Sequence, residues 1–136
     1  MLNIINEIRK LNLPIGKYSV VGGGALASRG IRESDDVDLI VTEDLYKQLK
    51  NDGWEEKEKH PNHFHIYKDN AEAAKNFLHV EGCQLTTDGV IKNSDIIDGV
   101  PFMSLNDLIE LKQTMGREKD LKDIELINNY LKSIKN

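Results

Sequence analysis

The chain has 136 residues, 39% of them hydrophobic and 30% charged, with a net charge of −5 and a pI near 5.4. That length supports a single domain over residues 1–136 with a modest core, and no run approaches the roughly 20 apolar residues of a membrane span. The acidic balance argues against an extended nucleic-acid footprint, which is normally basic, and favours a small or protein partner.

Leu2 to Leu11 carries Ile4, Ile5, Ile8 and Leu11 at helical spacing, which predicts a one-faced amphipathic helix. Nothing in this stretch has the character of a secretory signal, and Cys83 is the one cysteine, so no intramolecular disulfide is expected. Both points fit a cytoplasmic protein. Pro14 and Gly16 end the helix. A buried strand is expected from Lys17 to Val21, then a glycine turn, Gly22-Gly23-Gly24, and a short helix over Ala25 to Arg29. A second apolar strand is expected from Val37 to Val41. Thr42 is placed to cap a helix running to about Lys50, with Glu43 and Asp44 in its first turn.

Trp54 to Lys59 is highly charged and reads as an exposed segment. His63 to Tyr67 alternates like a strand, Asp69 to Lys75 reads as a connection or short helical turn, and Phe77 to Leu85 as another strand. Turns are expected at Asp88-Gly89 and at Asp98 to Pro101. Ser104 to Asp107 resembles a capping box for a helix ending at Met115. A last helix runs from about Lys119 to Ile134, with Leu121, Ile124, Ile127, Leu131 and Ile134 as its apolar stripe. The order α-β-α-β-α-β-β-α-α predicts an α/β (α+β) domain whose sheet is covered by helices.

The chemistry concentrates between Val20 and Val41. Residues at i and i+2 on a strand share a face, so Asp36 and Asp38 are expected to set two carboxylates side by side. Such a pair repels unless a cation neutralises it, and hard divalent ions take carboxylate oxygens together with substrate phosphates. Gly22 and Gly23 let a ligand approach the main chain ahead of a helix start, where free N–H groups favour an anion. Together these features point to phosphoryl or nucleotidyl chemistry.

This pattern, an apolar strand into Gly22-Gly23 and then Asp36-Val37-Asp38-Leu39, resembles the polymerase-β-like nucleotidyltransferase superfamily, especially its small bacterial members. Arg32 to Asp38 is similar to the Arg-x-Ser/Thr-x-Asp-x-Asp form of abortive-infection and lincosamide-resistance relatives. The resemblance implies a mixed sheet flanked by helices, with the first two strands bearing the site and two C-terminal helices packed on it. It implies an NTP held by Gly22, Gly23 and Gly24, and two Mg²⁺ ions held by Asp36 and Asp38. It also implies in-line transfer of NMP to a hydroxyl acceptor, with loss of pyrophosphate. A third carboxylate is implied on a later strand; Glu81 is the choice, as catalytic residue and metal ligand, with Asp69 second.

Lys112 falls on the apolar stripe of its helix, either as a core-edge stem or with its ammonium turned to a phosphate. Arg117 to Asp123 looks like the Arg-x-x-Asp-x-x-Asp tail of some relatives, which would let Arg117 support the nucleotide and Asp120 orient Lys112. Arg29 and Arg32 flank the glycine turn, where either is placed to touch a phosphate and is equally suited to a surface or aspartate-paired role. His60, His63, His65 and His79 lack a cysteine partner pattern and a His-Glu-x-x-His motif, so they read as ordinary strand histidines rather than zinc ligands. Cys83 reads as a buried small apolar residue. Two other functions stay open: a toxin–antitoxin or phage-defence component acting on RNA or a partner protein, and a non-catalytic nucleotide-binding module.

Overall fold

The structure, a computed structural model, describes residues 3–135. Leu2, where the first helix was expected to begin, lies outside them.

Helix α1 (Ile4–Lys10) is capped by Asn3, whose side chain accepts from the Asn6 N–H, and it buries Ile4 and Ile8. Strand β1 (Tyr18–Val21) runs into α2 (Gly23–Ala27), and β2 (Val37–Val41) returns antiparallel to β1. These two strands are nearly continuous in buried apolar residues, as central strands covered on both faces must be. Thr42 caps α3 (Glu43–Asn51), which buries Leu45, Tyr46 and Leu49.

Three strands follow where two were expected. Strand β3 (Glu55–His60) is exposed along its length, as the charged sequence implies, but it is paired to β4 (His63–Lys68). It forms one edge of the sheet, where charged side chains discourage pairing with other chains. Trp54, just before it, is buried rather than exposed. Strand β5 (Ala71–Ala74) occupies the segment expected as a connection. Its alanines have weak strand preference, but they fit the tight space between β4 and β2.

Phe77 to Leu85 forms turns and loop, not the expected strand. The expected turn at Asp88-Gly89 lies inside α4 (Thr87–Lys92), and Asp98-Gly99 turns between β6 (Asp95–Ile97) and β7 (Val100–Phe102). Ser104 caps α5 (Leu105–Met115) by accepting from the Asp107 N–H, and Gly116 ends it in the left-handed conformation at φ +64°. Helix α6 (Glu118–Ile134) buries Asp120, Asp123 and Ile127, while Leu121 and Ile134 of its expected stripe are exposed.

The sheet has seven strands in the order β3-β4-β5-β2-β1-β7-β6, with β2–β5 and β1–β7 parallel and the other pairs antiparallel. It is a mixed sheet flanked by helices, with two C-terminal helices packed on each other, the architecture expected from sequence. Among the described residues no helix is long and apolar enough to cross a membrane.

Candidate active site

The strand register sets two carboxylates side by side. Asp38 on β2 is the direct partner of Glu72 on the parallel strand β5. On its other side, Asp38 is registered with Val21, the last residue of β1. Gly22 then takes φ +64°, ψ −143°, and a Cβ there would stand 3.3 Å from Asp38 Oδ2. The bend after β1 therefore brings bare backbone against this carboxylate, at a backbone angle that L side chains rarely adopt. Gly23 and Gly24 serve a different purpose. A Cβ on Gly23 would lie 2.4 Å from Ser34 Oγ, and one on Gly24 would lie 3.1 Å from Val20 Cγ1. Both are buried, and they let α2 pack against β1 and the loop that carries Arg32 to Asp36.

Asp36 lies one residue before β2 and is exposed, with its own N–H donated to Ser34 Oγ. Its charge reaches Asp38. Burial, then Glu72 and then Asp36 push the Asp38 carboxyl up to about 6, against the opposing pull of Lys59. Glu72 is shifted the other way. Burial favours its neutral form, but hydrogen bonds from Lys59 and His65 outweigh that and hold it below the usual carboxylate range. Tyr67 Oη donates to the same oxygen at 3.3 Å.

Asp38 and Glu72 open onto a cleft of about 390 Å³ that Gly22, Lys59 and His65 also line. Its far wall comes from α5 and the start of α6, with Leu108, Lys112, Arg117 and Lys119. Lys112 is 8% exposed and donates to Asp123 Oδ2 at 2.9 Å, with Asp120 Oδ1 at 3.7 Å. Arg32 grips the same Asp123 carboxylate with Nε at 2.8 Å and Nη2 at 3.0 Å. Burial works to raise Asp123, yet these two cations hold it down at about 2. Asp123 thus ties the loop before β2 to both C-terminal helices. Arg117 is paired with Asp120 through Nε at 2.6 Å and Nη2 at 3.2 Å, at the start of α6. Arg29 is committed elsewhere, to Asp95 at 2.7 Å and to the carbonyls of Ala25 and Met103.

The residues expected from sequence are therefore only partly brought together. Gly22, Asp38, Lys112 and Arg117 share the cleft, while Asp36 is not among its lining residues and acts on it through its charge on Asp38. Arg32 reaches it through Asp123. Glu81 is exposed in a turn, because the strand expected to carry it does not form. Asp69 sits in the β4–β5 turn at φ +52°. Glu72 and Lys59 were not singled out in the sequence, and Asp123 entered only as the last aspartate of the tail resemblance, with no role of its own. The signal for Glu72 was a lone acidic residue among three alanines, Ala71-Glu72-Ala73-Ala74, shortly after a strand.

The histidines also converge. His63 and His65 are buried on one face of β4, and His79 stacks on His63 with ring centroids 4.2 Å apart. His60 stacks on His79 at 4.7 Å. Burial first, and then their mutual charge repulsion, pushes His63 below its ordinary value and His79 down to about 4. His65 is also lowered, by burial that outweighs the pull of Glu72. Cys83 is partly buried against the core.

No family model matches the sequence, and no curated protein matches it significantly. The solved structures do include a similar fold: the crystal structure of ANT(2")-Ia, an aminoglycoside nucleotidyltransferase, in complex with adenylyl-2"-tobramycin. The chain has a nucleotidyltransferase fold. The likeness has a TM-score of 0.52 at 17% identity, covering 97% of this chain and 87% of that one.

Proposed function

We propose that the protein is a metal-dependent nucleotidyltransferase, moving an NMP from an NTP to a hydroxyl acceptor with release of pyrophosphate. One observation carries this reading: Asp38 and Glu72 are paired on parallel strands directly beside the Gly22 bend, in a cleft whose other wall holds Lys112, Arg117 and Lys119. The nucleotidyltransferase fold supports it.

The donor set suits Mg²⁺. Asp36, Asp38 and Glu72 offer hard carboxylate oxygens, and burial with anionic crowding pushes Asp38 up to about 6, so a cation there relieves a cost already present. Asp36 and Asp38 would hold the ion or ions, with Glu72 in the third-carboxylate place expected earlier at Glu81. When bound, divalent ions supply charge neutralisation and alignment of the attacking and leaving oxygens.

The chain's own residues do the rest. The bare backbone at Gly22 admits the triphosphate close to Asp38. Lys112 and Arg117 face it from α5 and α6 and compensate its charge, while Lys59 and His65 fix the Glu72 carboxylate to orient the acceptor hydroxyl. That hydroxyl gives its proton to the Glu72 carboxylate or to solvent as its oxygen bonds to the α-phosphorus, the bond to the α–β bridging oxygen breaks, and pyrophosphate leaves with the electron pair. Catalysis is positioning and electrostatic stabilisation. The acceptor is a small molecule or a protein, in keeping with the net charge of −5.

A crystal soaked with Mg²⁺ and an NTP analogue blocked at the α–β bridge tests the assignment. The triphosphate is expected between Gly22 and Lys112, with metal density at Asp38. Density elsewhere, or none under saturating conditions, would overturn it.

A further inference from the structure

We propose that His63, His65 and His79 form a second metal centre, specific for a borderline divalent cation of the zinc class, beside the carboxylate pair in the same cleft. One ligand atom from each of the three rings lies within 4.8 Å of the other two. Tetrahedral ligands about 2.0–2.1 Å from zinc sit roughly 3.3 Å apart, so small ring rotations close the site. His63 and His65 point from the same face of β4, and their Nε2 atoms share a hydrogen bond at 2.9 Å, whose proton a bound cation would displace. His79 comes from the loop after β5, so the ligands converge from two separate segments.

The tautomer of His65 favours the same conclusion. Its Nδ1 lies 2.5 Å from Glu72 Oε2 and donates to it, which leaves Nε2 as the lone-pair atom facing into the cluster. A carboxylate behind a ligating imidazole is the usual arrangement at zinc centres, where it fixes the ring and raises its basicity. Imidazole nitrogen selects zinc-class ions over Mg²⁺, so the two centres would take different metals from one mixture.

The ion would bridge β4 to the loop that lines the cleft with Phe77 and His79. It would also act on Glu72 through His65, which makes His65 a positioning residue for the third carboxylate. Three protein ligands leave one position of a tetrahedral shell for water or a substrate oxygen.

The site stands whether or not the chain transfers nucleotides. Tag-free full-length protein, stripped with chelator and dialysed, is titrated with ZnCl₂ against a chromogenic chelator. One ion per chain is expected, with Co²⁺ giving visible d–d absorption. His79→Ala, in a loop and checked by circular dichroism, should weaken binding by more than about tenfold, the scale that loss of a supporting partner alone reaches. His65→Ala should do the same, and His79→Ala decides the matter if His65→Ala does not fold. Asp38→Asn should keep zinc stoichiometry while losing Mg·NTP, which separates this site from the catalytic reading. Absence of stoichiometric uptake, or wild-type affinity in His79→Ala, overturns the proposal.

Discussion

Asp38 and Glu72 are direct partners across the parallel pair of β2 and β5, at the point where β1 ends and Gly22 turns. The pairing stores electrostatic cost. Asp38 is raised from 3.8 to about 6 by burial, by Glu72 and by Asp36. Without metal, its ionised form opposes folding.

Asp38→Asn should therefore stabilise the metal-free protein near neutral pH. The folded pKa lies above the unfolded one, so this group's stabilising contribution is full below about 4 and is lost as pH rises through about 6. A shift of that size corresponds to about 3 kcal/mol at most, and partial solvent access reduces it to about 1–2 kcal/mol. Urea unfolding from pH 4 to 7 should show the variant's advantage growing with pH. A constant difference would mean Asp38 is not perturbed.

Asp123→Asn should do the opposite. Arg32 and Lys112 both depend on Asp123, whose carboxyl is held at about 2. Its folded pKa lies below its unfolded value, so its contribution is present above about 4 and lost as pH falls towards 2. Removing one partner of a largely buried network costs about 3 kcal/mol. Denaturant midpoints at pH 7 should fall accordingly, and the deficit should shrink in acid. No loss at pH 7 would show that the three-way contact is dispensable.

Gly22→Ala and Gly30→Ala form a matched pair. Both glycines have positive φ, +64° and +71°, but Gly22 also has ψ −143°, outside the left-handed helical basin, so its substitution carries the larger backbone cost, on the order of 1–3 kcal/mol. Only at Gly22 does the new Cβ crowd Asp38, at 3.3 Å, whereas nothing stands within 4 Å at Gly30. Thermal melts should show the larger loss for Gly22→Ala, and titration of the folded variants with Mg·NTP should show lost affinity for Gly22→Ala alone. Equal affinities would make the Gly22 bend merely structural.

Lys112→Met keeps the buried stem and removes the ammonium. Its bond to Asp123 means some stability is lost, about 1–3 kcal/mol, in addition to an affinity loss for Mg·NTP of about tenfold. A double-mutant cycle with Asp123→Asn should show strong coupling in stability. Wild-type nucleotide affinity would leave Lys112 as a packing residue only.

Much of the fold was legible because its central elements follow simple patterns. The Val37–Val41 strand, the Thr42 and Ser104 caps and the end of the second-last helix at Met115 appear as expected. The errors fall where local preference is overridden. Glu55–His60 has no apolar alternation because an exposed edge strand needs none, and Ala71–Ala74 is a strand because its neighbours demand small residues. With β5 unseen, Glu72 had no strand to stand on, and the strand expected to carry Glu81 forms turns instead. The histidine convergence was illegible for a related reason, since His79 joins β4 only through the loop after β5.

Isothermal titration of Mg·NTP into wild type, Asp38→Asn and Glu72→Gln tests the central claim most directly. Stoichiometric, Mg²⁺-dependent binding is expected for the wild type, loss of binding for Asp38→Asn, and weakened metal-dependent binding for Glu72→Gln, with all three folded by circular dichroism. Binding by Asp38→Asn that equals wild type would contradict a nucleotide site at the Asp38–Glu72 pair.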